Sequence, residues 1–205
     1  MAMRDRWSRC WRRLGADPPA NLFDALVSCY AEPHRAYHTL EHLRECFEHL
    51  DDAAAHAQRR VEVELALWFH DAIYATRALD NEDRSALWAY EILVDVGVSR
   101  ETARRVSDLI LVTKHDGTAQ TGDQALLIDI DLAILGADEA RFDAYEQQIR
   151  REYARVDEPE FRATRSGILK SFLDRPALYL TQYFSDRFEA AARRNLARSL
   201  EKLSR

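Results

Sequence analysis

Along nearly the whole chain, apolar residues recur at the three- and four-residue spacing of a helix. Leu22, Phe23, Leu26, Val27 and Tyr30 form one stripe directly after Pro18-Pro19, a pair that starts a helix rather than breaking one. Leu43, Cys46, Phe47 and Leu50 form a second. Val61, Val63, Leu65, Ala66, Leu67, Trp68, Phe69 and Ile73 leave almost no polar side, so this third helix is expected to be central and buried. Leu87, Trp88, Ile92, Leu93 and Val96 predict a fourth, stopped by Gly97. Ser99 reads as the N-cap of a fifth, which carries Val106, Leu109, Ile110 and Val112. A short apolar helix is expected from Ala125 to Leu135, closed by Gly136. Three amphipathic segments follow between Asp138 and Leu203, anchored by Phe142, Tyr145, Ile149 and Tyr153, then Ile168 and Phe172, then Phe184, Phe188 and Leu196. The one strand-like stretch, 125–130, has too few β-branched residues to prevail. With short connections and no repeat, the pattern predicts one all-α helical bundle over residues 1–205.

Composition narrows this further. Only 6 glycines and 5 prolines serve 205 residues, too few for a β-sandwich that turns about every 8–12 positions. A net charge of -6 removes the electrostatic footprint of a nucleic-acid polymer binder. The basic residues are nearly all arginines, the lysines being Lys114, Lys170 and Lys202, a bias that suits solvated helix faces. Cys10, Cys29 and Cys46 are odd in number and wrongly spaced for a disulfide framework or a zinc ribbon, so they read as reduced core residues. Without a signal-like leader or an apolar run of membrane length, a soluble cytoplasmic protein is expected. The segment up to Gly15, with Trp7 and Trp11 among arginines, reads either as a loosely packed extra helix or as a homodimer contact.

Three places put metal-binding side chains where the pattern wants apolar ones. In Tyr37-His38-Thr39-Leu40-Glu41-His42 the two histidines are four apart and share one helix face. His70-Asp71 sits at the end of the most apolar helix, where an unpartnered pair would cost several kcal/mol. Asp129 and Asp131 interrupt the apolar run 125–135. Taken singly, each fits an ordinary role, a histidine hydrogen-bonded in the core or an aspartate capping a helix. Taken together, two histidines and two carboxylates on separate buried helices suit a divalent transition metal with open water positions better than a closed structural zinc site. His34, His49 and His56 lack such settings and read as surface residues.

The ordered set His42, His70-Asp71 and a later aspartate resembles the signature of the HD-domain metal-dependent phosphohydrolases, an all-helical family. The likeness covers residues 34–136, with 138–205 as C-terminal elaboration. The Tyr-His-x-x-x-His cluster, Asn81-Glu82…Ser85-Ala86 and the run from Leu127 to Gly136 look closest to a bacterial subgroup of predicted HD phosphohydrolases. The resemblance implies His42, His70, Asp71 and Asp131 as metal ligands, with Asp129 in a supporting or capping role. It implies His38 as general acid by likeness to the related cyclic-nucleotide phosphodiesterases, and Glu82 as an acid near the activated water. Lys114-His115-Asp116 ends a helix, where a cation opposes the dipole and reaches a phosphate oxygen. His115 then reads as a substrate contact or second-metal ligand, and Arg35 as a phosphate clamp. The implied function is hydrolysis of a small, nucleotide-like phosphate ester with Mn, Mg, Co, Ni, Zn or Fe as the divalent ion. Two alternatives are an HD-fold di-iron oxygenase, which would recruit His38 and His115 as further ligands, and a non-catalytic metal- or nucleotide-binding regulatory module.

Overall fold

A computed structural model of the protein describes residues 3–115 and 119–204. Among them all regular structure is helical, as the spacing predicts. The chain divides into two compact units, 1–127 and 128–205.

The first unit is built on α1 (Met3–Leu14), α2 (Leu22–Tyr30), α3 (Leu40–Asp52), α4 (Arg60–Phe69), α5 (Asn81–Asp95) and α6 (Arg100–Leu111). The seventh helix, α7 (Gly122–Asp131), begins here and carries the chain into the second unit. As expected, α4 is central: every residue from Glu62 to Phe69 is buried, and the helix packs against α1, α3, α5 and α6. Each buried Leu, Val or Phe contributes about 1.5–3 kcal/mol. Around Trp68 the rings of Trp7, Phe23 and Phe47 lie with centroids 4.8–6.0 Å away.

Two glutamates on α4 are buried as well, and each is met by an arginine of a neighbouring helix. Arg105 of α6 donates to both Glu62 oxygens at 2.6 and 2.8 Å. Arg6 of α1 lies 2.9 Å from Glu64 and donates to both oxygens of Asp51 at 2.9 Å. Burial pushes the Glu64 carboxyl up in spite of Arg6, because desolvation of the charged form outweighs the pairing. The N-terminal helix is therefore not loosely packed: Trp7, Cys10 and Trp11 are buried and Arg6 is clamped.

Caps fall where the sequence places them. Ser99 Oγ accepts from Thr102 N–H at 3.1 Å, and Gly97 takes the left-handed conformation (φ 85°) that ends α5. The fourth stripe is rotated from its expected setting, because α5 buries Ser85, Ala86, Ala89 and Leu93 while Leu87 is 55% exposed. The small residues let α5 lie close to its neighbours.

In the second unit, a short 3-10 segment (Leu132–Gly136) leads to α8 (Glu139–Glu152), α9 (Glu158–Leu173) and α10 (Gln182–Leu203). Gly136 does not take a positive φ; its role is close approach. A methyl group there would lie 2.6 Å from Phe188 Cβ and 2.8 Å from Phe188 O on α10. Phe142, Phe184 and Leu196 form the core, and Asn195 donates to the carbonyls of Leu135 and Ala137 at 2.9 Å. No helix among the described residues is long and apolar enough to cross a membrane.

Candidate metal centre

The first unit brings His42, His70 and Asp71 together. Thr39 caps α3, accepting from Glu41 N–H, and this sets His42 in the first turn on the buried face with Leu43, Cys46 and Phe47. His70 is the C-cap residue of α4, directly after Phe69, and the chain leaves the helix there. His42 Nε2 lies 3.1 Å from His70 Nε2 and 3.4 Å from Asp71 Oδ2, and His70 Nε2 lies 3.1 Å from the same oxygen.

A backbone contact fixes the tautomer of His70. Its Nδ1 lies 2.9 Å from the Leu67 carbonyl, which can only accept, so Nδ1 carries a proton and, in the neutral ring, Nε2 offers its lone pair. That lone pair faces a carboxylate oxygen and a second imidazole nitrogen. A proton between two of these atoms relieves one contact; a cation among the three relieves all of them. Separations of 3.1–3.4 Å also match the edge of about 3.3 Å expected between ligands 2.0–2.1 Å from a tetrahedral ion. The donor set fits a divalent metal.

Asp71 is charged in this setting. Burial opposes ionisation, yet with protons on the neighbouring rings the charges of His70 and His38 and hydrogen bonds from His42 and His70 hold its carboxyl well below the usual range. Cys46 is a donor that the sequence pattern did not single out. It stands four residues after His42 on α3, its Sγ is 3.7 Å from either ring nitrogen of His42, and it offers a ligand atom within 4.8 Å of those of His42 and His70. Its place in an apolar stripe disguised it as core.

The remaining expected residues fall at different distances from this group. His38 is half-buried, with its ring against Tyr74 (centroids 4.1 Å apart) and 6.0 Å from that of His42. Arg35 is buried. Its guanidinium donates to the Glu32 carboxylate (2.9 Å) and to the carbonyls of His38 (3.2 Å), Asp71 (2.6 Å) and Ala72 (3.1 Å). Those bonds make it a brace across the backbone of the site rather than the open phosphate clamp that the sequence suggests.

The Asn81-Glu82…Ser85-Ala86 stretch is a clip. Asn81 accepts from Ala75 N–H and donates to its carbonyl, both at 3.0 Å, and Ser85 does the same at Ile73 (3.0 and 3.5 Å). The loop leaving Asp71 is thereby pinned to the first turns of α5. Glu82 lies between the two clips. Burial pushes its carboxyl up, the charge of Asp71 adds to the rise, and Lys114 and His115 oppose it. Lys114 follows α6 on a 3-10 turn and donates to both oxygens of Asp83 at 2.7 and 2.8 Å. His115 ends that turn with a left-handed backbone (φ 55°); Asp116 lies outside the described residues.

The two aspartates of α7 separate in role. Asp129 is fully buried and accepts from the N–H groups of Leu180 and Thr181 at 2.7 Å and from the Thr181 hydroxyl at 2.6 Å. It anchors Thr181, the N-cap residue of α10, and does not cap its own short helix as the sequence suggests. Asp131, the last residue of α7, is half-buried. Of the histidines expected at the surface, His34 and His56 are exposed, but His34 Nε2 is 2.8 Å from the Tyr74 carbonyl and its ring stacks on Tyr74. His49 is half-buried, and burial lowers its affinity for a proton.

No family model, no curated protein and no solved structure matches the chain.

Proposed function

We propose that the protein is a metal-dependent phosphohydrolase of the HD type, acting on a small phosphorylated, nucleotide-like metabolite. The observation that carries the proposal is the convergence of His42 Nε2, His70 Nε2 and Asp71 Oδ2 within 3.4 Å, with the His70 proton held away on Nδ1. Asp131 is the proposed fourth ligand. This rests on the order of motifs in the sequence and on Asp129 being committed to the α10 cap. A divalent ion bound here supplies a Lewis acid for a phosphoryl oxygen and an activated water.

The surrounding residues have matching tasks. His38, beside His42, is the candidate proton donor to the leaving group. Glu82, its carboxyl raised by burial and by Asp71, is suited to hold and release a proton near the attacking water. Lys114 and His115 lower the energy of charge on Glu82, and they are the candidate contacts for a phosphate oxygen. A small substrate agrees with the net charge of -6, since a polymer would need an extended basic surface.

The test is metal analysis of the purified protein, followed by phosphate release from a panel of phosphorylated metabolites with Mn2+, Mg2+, Co2+ and Ni2+. We expect one equivalent or more of metal and turnover of a nucleotide-like substrate. His70→Ala and Asp71→Ala should lose both the metal and at least 10²-fold in activity. Full metal occupancy in either variant would overturn the ligand assignment. Thermal stabilisation by nucleotides without phosphate release would point instead to a binding module.

A further inference from the structure

We propose that Arg35 is a positioning residue of the metal centre, setting its affinity for metal by joining the backbone segments that enter and leave it. The inference rests on the metal-binding reading above.

Two stretches without regular hydrogen bonding carry the site. Residues 31–39 lead into α3 and deliver His38 and then His42; residues 70–80 leave α4 and deliver Asp71. Neither a helix ladder nor a sheet fixes the one against the other. Arg35 does so with a single side chain. Its Nη1 donates to the carbonyl of His38 in the first stretch and to that of Asp71 in the second, and Nη2 donates to Ala72. The Asp71 carbonyl belongs to the same residue whose carboxylate faces His42 and His70. A shift of that backbone moves a proposed ligand directly.

The guanidinium is itself held in place. Nε is tied to Glu32 three residues earlier, the side chain is 0% exposed, and the rings of Tyr30 and Tyr74 lie 5.3 and 5.4 Å from its central carbon. Tyr74 also packs on His38, and the Tyr30 hydroxyl donates to the Trp68 carbonyl at 3.2 Å in the last turn of α4. Only a planar group with several donors reaches three carbonyls and a carboxylate at once; an ammonium has one centre to offer. Groups that orient ligands in this way typically change metal affinity about 10–100-fold when removed.

The experiment measures Co2+ affinity by competition with a chelator, and the visible Co2+ spectrum, in the wild-type chain, Arg35→Ala and Arg35→Lys. Circular dichroism confirms folding in each case. We expect about 10–100-fold weaker binding and an altered spectrum in both variants. Added guanidinium ion, at concentrations that leave the fold intact, should restore Arg35→Ala, and equal sodium should not. A folded Arg35→Ala that binds as tightly as wild type, or whose weakening guanidinium leaves untouched, overturns the proposal. If Arg35→Ala fails to fold, Arg35→Lys decides, and a lysine variant as tight as wild type overturns it. Failure of the wild-type chain itself to take up Co2+ would instead remove the metal-binding reading.

Discussion

At the scale of single residues, the two aspartates of α7 show how the same side chain two positions apart serves different ends. Asp129 accepts three hydrogen bonds at the start of α10, and burial raises its carboxyl while those donors oppose the rise. Replacing it with asparagine turns an –NH2 toward a backbone N–H, which can only donate, whichever way the amide is set. We expect Asp129→Asn to destabilise the chain by about 1–3 kcal/mol in denaturant titration, with metal content unchanged. Asp131→Asn should instead weaken the metal. A loss of metal confined to Asp129→Asn would reverse the assignment. In the sequence both aspartates were visible as breaks in an apolar run, and a supporting role for Asp129 was among the expectations. Its partners were not, because Leu180 and Thr181 lie about fifty residues further on and nothing local marks them. Cys46 was missed for the opposite reason: a thiol in an apolar stripe matches the core pattern, so it breaks no rule.

At the scale of helices, periodicity recovered most of the fold, because burial of a face leaves a 3.6-residue imprint. The stripes of α2, α3, α4 and α6 and the stops at Gly97 and Gly136 appear where the pattern puts them. The pattern fails where packing depends on small residues. The inward face of α5 is Ser85, Ala86 and Ala89, whereas its large residue Leu87 faces out. It also fails where charges are buried with partners, as in α1. Composition alone made that segment look detachable, yet Arg6 reaches Asp51 on α3 and Glu64 on α4. The attachment carries a pH signature. The hydrogen bond from Arg6 holds the Asp51 carboxyl below its ordinary value, so Asp51 binds its proton more weakly folded than unfolded. Its stabilisation is full above the unfolded value of about 3.9 and fades as the pH falls through the lower folded one. Glu64 is raised and acts in the opposite sense. We expect Asp51→Asn to be less stable than wild type at neutral pH and to lose less stability on acidification below about pH 4. Parallel acid-denaturation curves for the two proteins would refute the clamp.

For the whole molecule, the decisive quantity is how a metal ion couples to folding. His42, His70 and Asp71 set three donor atoms within 3.4 Å of one another, held there by protons on the rings or by a bound cation. Binding to the folded chain alone adds RT ln(1 + [L]/Kd), about 2.7 kcal/mol at a hundredfold excess over Kd. In a chain of this size that corresponds to a rise of about 5–10 °C in Tm. Removal of metal by chelation should lower Tm by this amount, and readdition of Co2+ or Zn2+ should restore it. His70→Ala should be insensitive to both treatments. A chelator-independent Tm in the wild-type chain would mean that the His42–His70–Asp71 group is held by protons alone, and the phosphohydrolase reading would fall with it.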